Sequence, residues 1–555
     1  MKWLGIVMLL WLLARLGGLL MLAVMAGENG IGAGVDGLLR VPLDVVLLAV
    51  LLLWLPPRRA LMGSIAAMLT LAVTLCLAEG ATFAIFGREL NVWLDASLLS
   101  AGYQLLASNL GNLPALLVVA MMLAGLAGLV WVVARLLGGA CSASARTSRL
   151  RRLWRSAGMV GLAGAALGAG YLRDAPRPGI DFPLASVVVE QVEQLPRTLA
   201  ARRRFEQRQR RRQPEVTALP GLQGRDVVLI FIESYGMSLL EEDAASLRDT
   251  LKQASHALAD QGIASASGRL RSPVRGGQSW LAHASVLSGL TIDDGLDYRL
   301  LLKSRRGSLV QDFAATGHHT LALMPAITQA WPEGRAYGFD TLVDAEGMGY
   351  AGPSLHWVTM PDQYSLKTLA TRWLDNQDAP VFAQVALISS HAPWTPILPV
   401  RDWAAIGDGS GFRRWADAGP EPEVLWQDMN EVRRHYAEAV RYSLRVTLAW
   451  VERYLDDDGL VMVMGDHPAA PVVTGTGASP DVPVHLFSRD TEFVAPFLEH
   501  GFRDGLIPAA TPASSTMACW RHWLQRHFAD GEGDAEVAAM PRHGTLPACQ
   551  WQPGE

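Results

Sequence analysis

The front of this chain is almost pure hydrocarbon, and a soluble core of ordinary size cannot bury that much of it. Five apolar stretches, near 3–26, 42–56, 60–87, 113–138 and 155–172, approach or exceed the ~20 residues a helix needs to cross a bilayer. The second is short, bounded by Pro42 and by Pro56-Pro57. The first is longer than a signal-peptide core, carries Arg15 and is followed by further spans, so it reads as a retained segment. A wholly soluble cytoplasmic protein is excluded.

Cations in the short loops set the expected orientation. Lys2 precedes the first span, Arg58 and Arg59 join the second and third, and Arg146, Arg149, Arg151, Arg152 and Arg155 join the fourth and fifth. The alternate loops, 27–41 and 88–112, have no cationic excess. Five crossings that start inside end outside, so residues 173–555 are expected on the extracytoplasmic side of the membrane. Inside the spans the charged groups are few, Arg15, Asp44 and Glu79 with Arg135 near the end of the fourth and Arg155 at the start of the fifth, and they form no matched pairs. That pattern suits an anchor better than a transporter.

Charge divides the chain as sharply as hydropathy does. Residues 1–200 carry a net +5, residues 201–213 a net +6, and residues 214–555 a net −16; all thirteen histidines lie beyond residue 255. An acidic soluble part is repelled by phosphate backbones, so nucleic acid is not an expected partner. The expected organisation is a helical membrane domain over 1–172, a basic linker over 173–213 and an extracytoplasmic domain over 214–555. The Arg run at 202–212 reads either as a solvated helix face or as a surface helix against anionic headgroups. Cys76 and Cys141 belong to the membrane part, and no CxxC metal motif occurs. An oxidising compartment would permit a Cys519–Cys549 bridge.

Beyond residue 214, short apolar runs alternate with helical patterns. Strands are expected at Val227–Ile232, Thr320–Met324, Val381–Ile388, Leu460–Met464 and Val482–Phe487, with helices near 240–260, 279–290, 306–316, 363–376 and 427–455. Uninterrupted apolar strands between helices predict an α/β domain, a mostly parallel sheet covered on both faces. Ligands in such sheets bind beyond the carboxyl ends of the strands. Glu233 follows VVLIFI, His391 follows VALISS, and Asp466 and His467 follow VMVMG. Three strands therefore deliver carboxylates and imidazoles to one edge.

Such a mixed oxygen and nitrogen set can hold one divalent cation, with Mn, Mg and Zn all open. The segment RSPVRGGQSWLAHASVLSGL, residues 271–290, puts Ser279 after a Gly-Gly turn and at the start of a helical pattern. Ser279 there is either an ordinary N-cap or a metal-activated nucleophile near a dipole that favours phosphate. His283, His318-His319 and His485 read as packed or surface histidines, and Asp362 as a possible cap.

In order, VVLIFIESYG, GGQSW, ISSHAPW and VMVMGDH resemble the sulfatase-like part of the alkaline phosphatase superfamily. With its membrane anchor, the layout resembles the lipoteichoic acid synthase and phosphoglycerol transferase branch. That resemblance implies a metal held by Glu233, Ser279, Asp466 and His467, with Ser279 as nucleophile and His391 on the headgroup phosphate or leaving oxygen. It further implies headgroup contacts from Trp331 and Arg335. The branch commonly uses threonine where this chain has Ser279. Arg271 stands where a true sulfatase needs its Cys or Ser, which disfavours sulfate-ester hydrolysis. The implied activity moves a phospholipid headgroup phosphate, phosphoglycerol from phosphatidylglycerol first, to an envelope glycan or lipid acceptor. A phosphoethanolamine transferase, a phosphodiesterase or hydrolase of the same superfamily, and a non-catalytic envelope protein are the alternatives.

Overall fold

The computed structural model describes residues 41–171, 180–211, 216–241, 245–304, 306–328, 331–375 and 379–529. The chain divides into two compact units, Met1–Arg203 and Arg204–Glu555. The first expected span lies outside the described residues, as does Cys549, and with it the Cys519–Cys549 pairing.

The first unit is helical: α1 (Leu43–Trp54), α2 (Arg59–Phe86), α3 (Val92–Leu110), α4 (Asn112–Ala145), α5 (Arg149–Tyr171) and α6 (Pro183–Arg211). Its interior is narrow. Leu52, Met62, Ala66, Val133, Leu137 and Cys141 pack together where α1, α2 and α4 meet. Outside, α4 presents bare hydrocarbon: Leu113 is 70% exposed, Met121 64% and Trp131 60%. Water disfavours such a surface and a bilayer favours it. Its few acids tie backbone ends. Asp44 accepts from the N–H groups of Leu184 and Ala185 at the start of α6, and Glu79 accepts from the Leu90 N–H. Arg202 and Arg203, from the basic run, are exposed on α6.

The expectation of five spans is corrected here. Among the described residues two helices, α2 and α4, are long and apolar enough to cross a membrane. The 12-residue α1 reaches only about 18 Å at 1.5 Å per residue. α5 begins with Arg149, Arg151, Arg152 and Arg155 in its first turns, which leaves too short an apolar remainder.

The second unit is built on eight strands: β1 (Val227–Ile232), β2 (Ala264–Arg271), β3 (His319–Leu323), β4 (Thr341–Val343), β5 (Val381–Ala386), β6 (Leu460–Gly465), β7 (Asp481–Ser488) and β8 (Arg503–Asp504). Their order across the sheet is β8-β2-β7-β6-β1-β5-β3-β4. Strands β6, β1, β5, β3 and β4 pair in parallel; β7 runs against β6, β2 against β7, and β8 against β2. Six strands thus share one direction.

The apolar runs are continuous because both faces are covered. In β1, Val228, Ile230 and Ile232 enter the core on one face, and Val227, Leu229 and Phe231 enter the other. The same two-residue alternation holds in β6. The first layer includes α7 (Ala245–Asp260) and α10 (Met429–Tyr454); the second includes α8 (Ser279–Ser288) and α11 (Cys519–Phe528). A short helix, α9 (Asp362–Thr368), packs on α10. The two central strands end level, Ile232 opposite Gly465, so the residues that follow them emerge side by side.

Candidate active site

A glycine makes that meeting possible. A Cβ on Gly465 would lie 1.9 Å from the Tyr235 carbonyl oxygen, so only hydrogen fits where the chains leaving β1 and β6 cross. The crossing is then stitched. The Ser234 N–H donates to Asp466 Oδ1 (2.8 Å), Ser390 Oγ donates to the Glu233 carbonyl (2.6 Å), and Tyr436 OH donates to the Ser234 carbonyl (2.7 Å). Ser272 Oγ donates to the Asp466 carbonyl (2.7 Å), and the Gly276 N–H donates to the Pro468 carbonyl (2.9 Å), which ties the loop before Ser279 to the Asp466-His467 loop.

Ser279 opens α8, yet its hydroxyl is not the cap. The N-cap is Gln278, with φ +64° and no side-chain cap bond. Ser279 Oγ instead lies 3.1 Å from Glu233 Oε2 and 3.1 Å from His467 Nε2. Ser234, next to Glu233, is also left-handed at φ +58°. Two non-glycine residues in this costly region flank the meeting point, a concentration typical of sites held by their surroundings.

Glu233, Asp466 and His467 are buried, and one ligand atom of each lies within 4.8 Å of the others. His467 Nδ1 is 2.9 Å from the Pro468 carbonyl. A carbonyl only accepts, so Nδ1 carries the proton and the Nε2 lone pair faces Ser279 and Glu233. Burial, then the charge of Glu233, pushes Asp466 up to about 7. Burial alone would raise Glu233, but the neighbouring His467 and His391 imidazoles and the Ser234 hydroxyl outweigh it and hold the carboxyl below its ordinary value. Two buried carboxylates and a lone-pair nitrogen crowded this closely form a donor set for a divalent cation, and Mn, Mg or Zn all fit its chemistry. Ser279 is placed to join it.

A cavity of about 520 Å³ adjoins this set, with Glu233, Ser279, Asp466, His391 and Trp331 all on its wall. His391 Nδ1 donates to the Ala392 carbonyl (2.6 Å), which leaves Nε2 for a ligand. Arg335 is exposed and not on that wall; Glu333, two residues earlier, is. The carry-over of Arg335 as a headgroup contact therefore has no support in the geometry. In the short helix Glu333–Tyr337, neighbours two apart face different sides, so Glu333 and Arg335 do not both meet the cavity.

Sequence reasoning also passed over the groups that hold the site. Asp362 is fully buried; its Oδ1 accepts from the N–H groups of Ile388 and Ser389 (2.8 Å each), and its Oδ2 from Ser443 Oγ (2.6 Å). It pins the loop that carries His391. His435 Nδ1 donates to the Trp394 carbonyl in the same loop. No motif announces such residues, because each is defined by a distant partner. His318 and His485 prove structural: His318 Nε2 bonds the Arg225 carbonyl, and His485 bonds Tyr235 and Ser267.

No protein-family profile matches the chain, and no curated protein does. Solved structures do. The integral membrane protein lipooligosaccharide phosphoethanolamine transferase A (EptA) from Neisseria meningitidis is 15% identical, with 94% of each chain covered and a TM-score of 0.41. The lipoteichoic acid synthase LtaP from Listeria monocytogenes is 15% identical over 48% of this chain and 66% of its own, with a TM-score of 0.32. Streptococcus pyogenes phosphoglycerol transferase GacH, in complex with sn-glycerol-1-phosphate, is 14% identical over 57% and 82%, with a TM-score of 0.36. At such low similarity the chemistry must be carried by the side chains themselves.

Proposed function

We propose that this chain is a membrane-anchored, divalent-metal-dependent phosphotransferase that moves a phospholipid headgroup phosphate through Ser279 to an envelope glycan or lipid. One observation carries the reading: the Ser279 hydroxyl, on the first residue of α8, is set 3.1 Å from both a carboxylate and an imidazole lone pair, on the wall of a ligand-sized cavity.

Glu233, Asp466 and His467, with Ser279, would hold the ion. Bound there, it would lower the pKa of the serine hydroxyl and offset charge on the phosphoryl oxygens. The residues do the rest. Ser279 Oγ forms a bond to phosphorus as the bond from phosphorus to the diacylglycerol oxygen breaks. The proton that Ser279 loses is matched by the one the departing oxygen gains, and His391 Nε2 is the group placed to steady that oxygen or the phosphate. An acceptor hydroxyl then forms its own bond to phosphorus, the bond to Ser279 breaks, and the serine regains a proton. Free N–H groups in the first turn of α8 add a positive field at the phosphate. An extracytoplasmic placement of the Ser279 unit, expected from the loop cations where the crossings are odd in number, would put it where envelope acceptors lie.

The test is incubation of the purified full chain with labelled phospholipid and Mn²⁺. Diacylglycerol release that vanishes in Ser279→Ala supports the reading, and dependence on an added glycan identifies a transferase. Release that persists in Ser279→Ala overturns it. The resemblance implies phosphatidylglycerol as donor, but of its two headgroup contacts only Trp331 lines the cavity.

A further inference from the structure

The cavity wall has a charge pattern that bears on the donor. Its acids are Glu233, Asp466 and Glu333, and among the described residues no Lys or Arg lines it. The first two belong to the cation set. Glu333 is left over, and among the described residues no Lys or Arg forms an ion pair with it. It faces aromatic neighbours. Burial, with the charge of Glu333 adding to it, pushes the Tyr298 phenol up to about 12; burial, then the neighbouring Tyr298, with Glu333 last, raises Tyr337. Trp331 is seated directly on this short helix: a Cβ on Gly334 would lie 2.6 Å from the indole ring.

Two further side chains on the same wall carry buried polar atoms that lack a partner among the described residues. Gln384 sits mid-strand in β5, in register between Leu229 and Ala322, and is 1% exposed. Among the described residues neither of its amide atoms has a hydrogen-bond partner. His283 stands one helical turn beyond Ser279, with its ring against Phe231 at 4.0 Å between centroids, and its buried Nε2 is likewise unpartnered. Sequence reading took this histidine for a packed or surface residue, and packing accounts for only part of it. A buried amide and a buried imidazole left unpaired are costly. Both on one cavity wall, they mark where a polar ligand completes the structure.

We infer that this cavity is a headgroup site selective for a primary ammonium: Glu333 is its counter-charge, Trp331 and Tyr298 its aromatic walls, and Gln384 and His283 its hydrogen-bonding groups. The inference rests on the phosphotransferase reading, and it names a phosphoethanolamine-type donor where the resemblance implies phosphoglycerol. A glycerol end is neutral: its hydroxyls can donate to a carboxylate but gain no ionic attraction from it. An ammonium gains from both Glu333 and the ring faces.

Two measurements on the full chain with Mn²⁺ test it. Calorimetric titration with O-phosphoethanolamine and with sn-glycerol-1-phosphate reads the headgroup preference whether or not turnover occurs. Diacylglycerol release from phosphatidylethanolamine or phosphatidylglycerol vesicles reads the reaction. The expected result is a preference of about tenfold or more for the ethanolamine compounds, an order set by cation–π and charge contacts. Glu333→Gln should reduce that ratio severalfold. Gln384→Leu should raise the KM for phosphatidylethanolamine with the unfolding midpoint maintained. Equal binding, preference for glycerol phosphate, or a ratio unmoved by Glu333→Gln overturns the inference. Phosphoethanolamine-selective binding without release from either lipid would sink the transferase reading and leave the site's selectivity standing.

Discussion

The two units of this chain use the same hydrocarbon in opposite places. In the first, α4 wears its leucines and methionines outside and keeps Ala115, Cys141 and Ser144 within. In the second, every residue of β1 and β6 is buried, and the polar groups that break the apolar interior include a set of acids, histidines and a glutamine gathered around one cavity. One driving force acts in both, and the solvent differs. Where hydrocarbon faces outward, the few acids tie helix ends. Where it faces inward, a buried polar group needs a partner, and two that lack one among the described residues, the Gln384 amide and His283 Nε2, lie on the cavity wall.

Substitutions can break or sharpen that contrast. The largest effect is expected at the cation set. Asp466→Asn should remove the bound divalent ion, read as metal content per chain, and lower headgroup transfer by about a thousandfold or more, whereas Asp44→Asn in the first unit should leave metal content unchanged. Metal loss from both would erase the distinction between a chemical acid and a tying acid. Next comes a matched pair of leucines. Leu229→Ala, in β1, should destabilise its unit by about 2–5 kcal/mol, seen as a lower unfolding midpoint in detergent. Leu117→Ala, on the exposed face of α4, should shift no midpoint beyond error. Equal shifts would mean that α4 packs against something other than solvent.

A smaller loss is expected at Asp362, which touches no reacting group. Asp362→Asn should lower kcat about tenfold to a hundredfold, the range for residues that orient others, with little change in KM and metal content maintained. The mildest test is pH. Burial lowers His485 to about 3, while an exposed histidine titrates near 6.5. The unfolded chain therefore binds a proton that the fold excludes. The stability tied to neutral His485 is fully present above about 6.5 and is lost as pH falls toward about 3. Thermal melts should show that decline, and His485→Gln should flatten part of it.

Much of the second unit was legible because a parallel sheet writes its strands as unbroken apolar runs, and the polar residue that stops a run marks the ligand edge. Glu233, His391 and Asp466-His467 were found that way. Strand β2 was missed, since ASASGRLR has neither β-branched residues nor a continuous apolar run; it is held by antiparallel pairing with β7. Gln384 was visible inside VFAQVALI but gave no signal, because only burial distinguishes an unpaired glutamine from a solvated one. Glu333 and Arg335 could not be told apart without knowing which face of a five-residue helix meets the cavity. In the first unit hydropathy marked apolar segments correctly but not their lengths as helices, so α1 and α5 were counted as spans.

The most direct measurement is mass spectrometry of the Ser279 peptide after brief exposure of the metal-loaded chain to phospholipid without acceptor. A headgroup-phosphate adduct on Ser279, absent from Ser279→Ala, is the predicted result. Continued diacylglycerol release with Ser279 unmodified, or release undiminished in Ser279→Ala, would contradict the account.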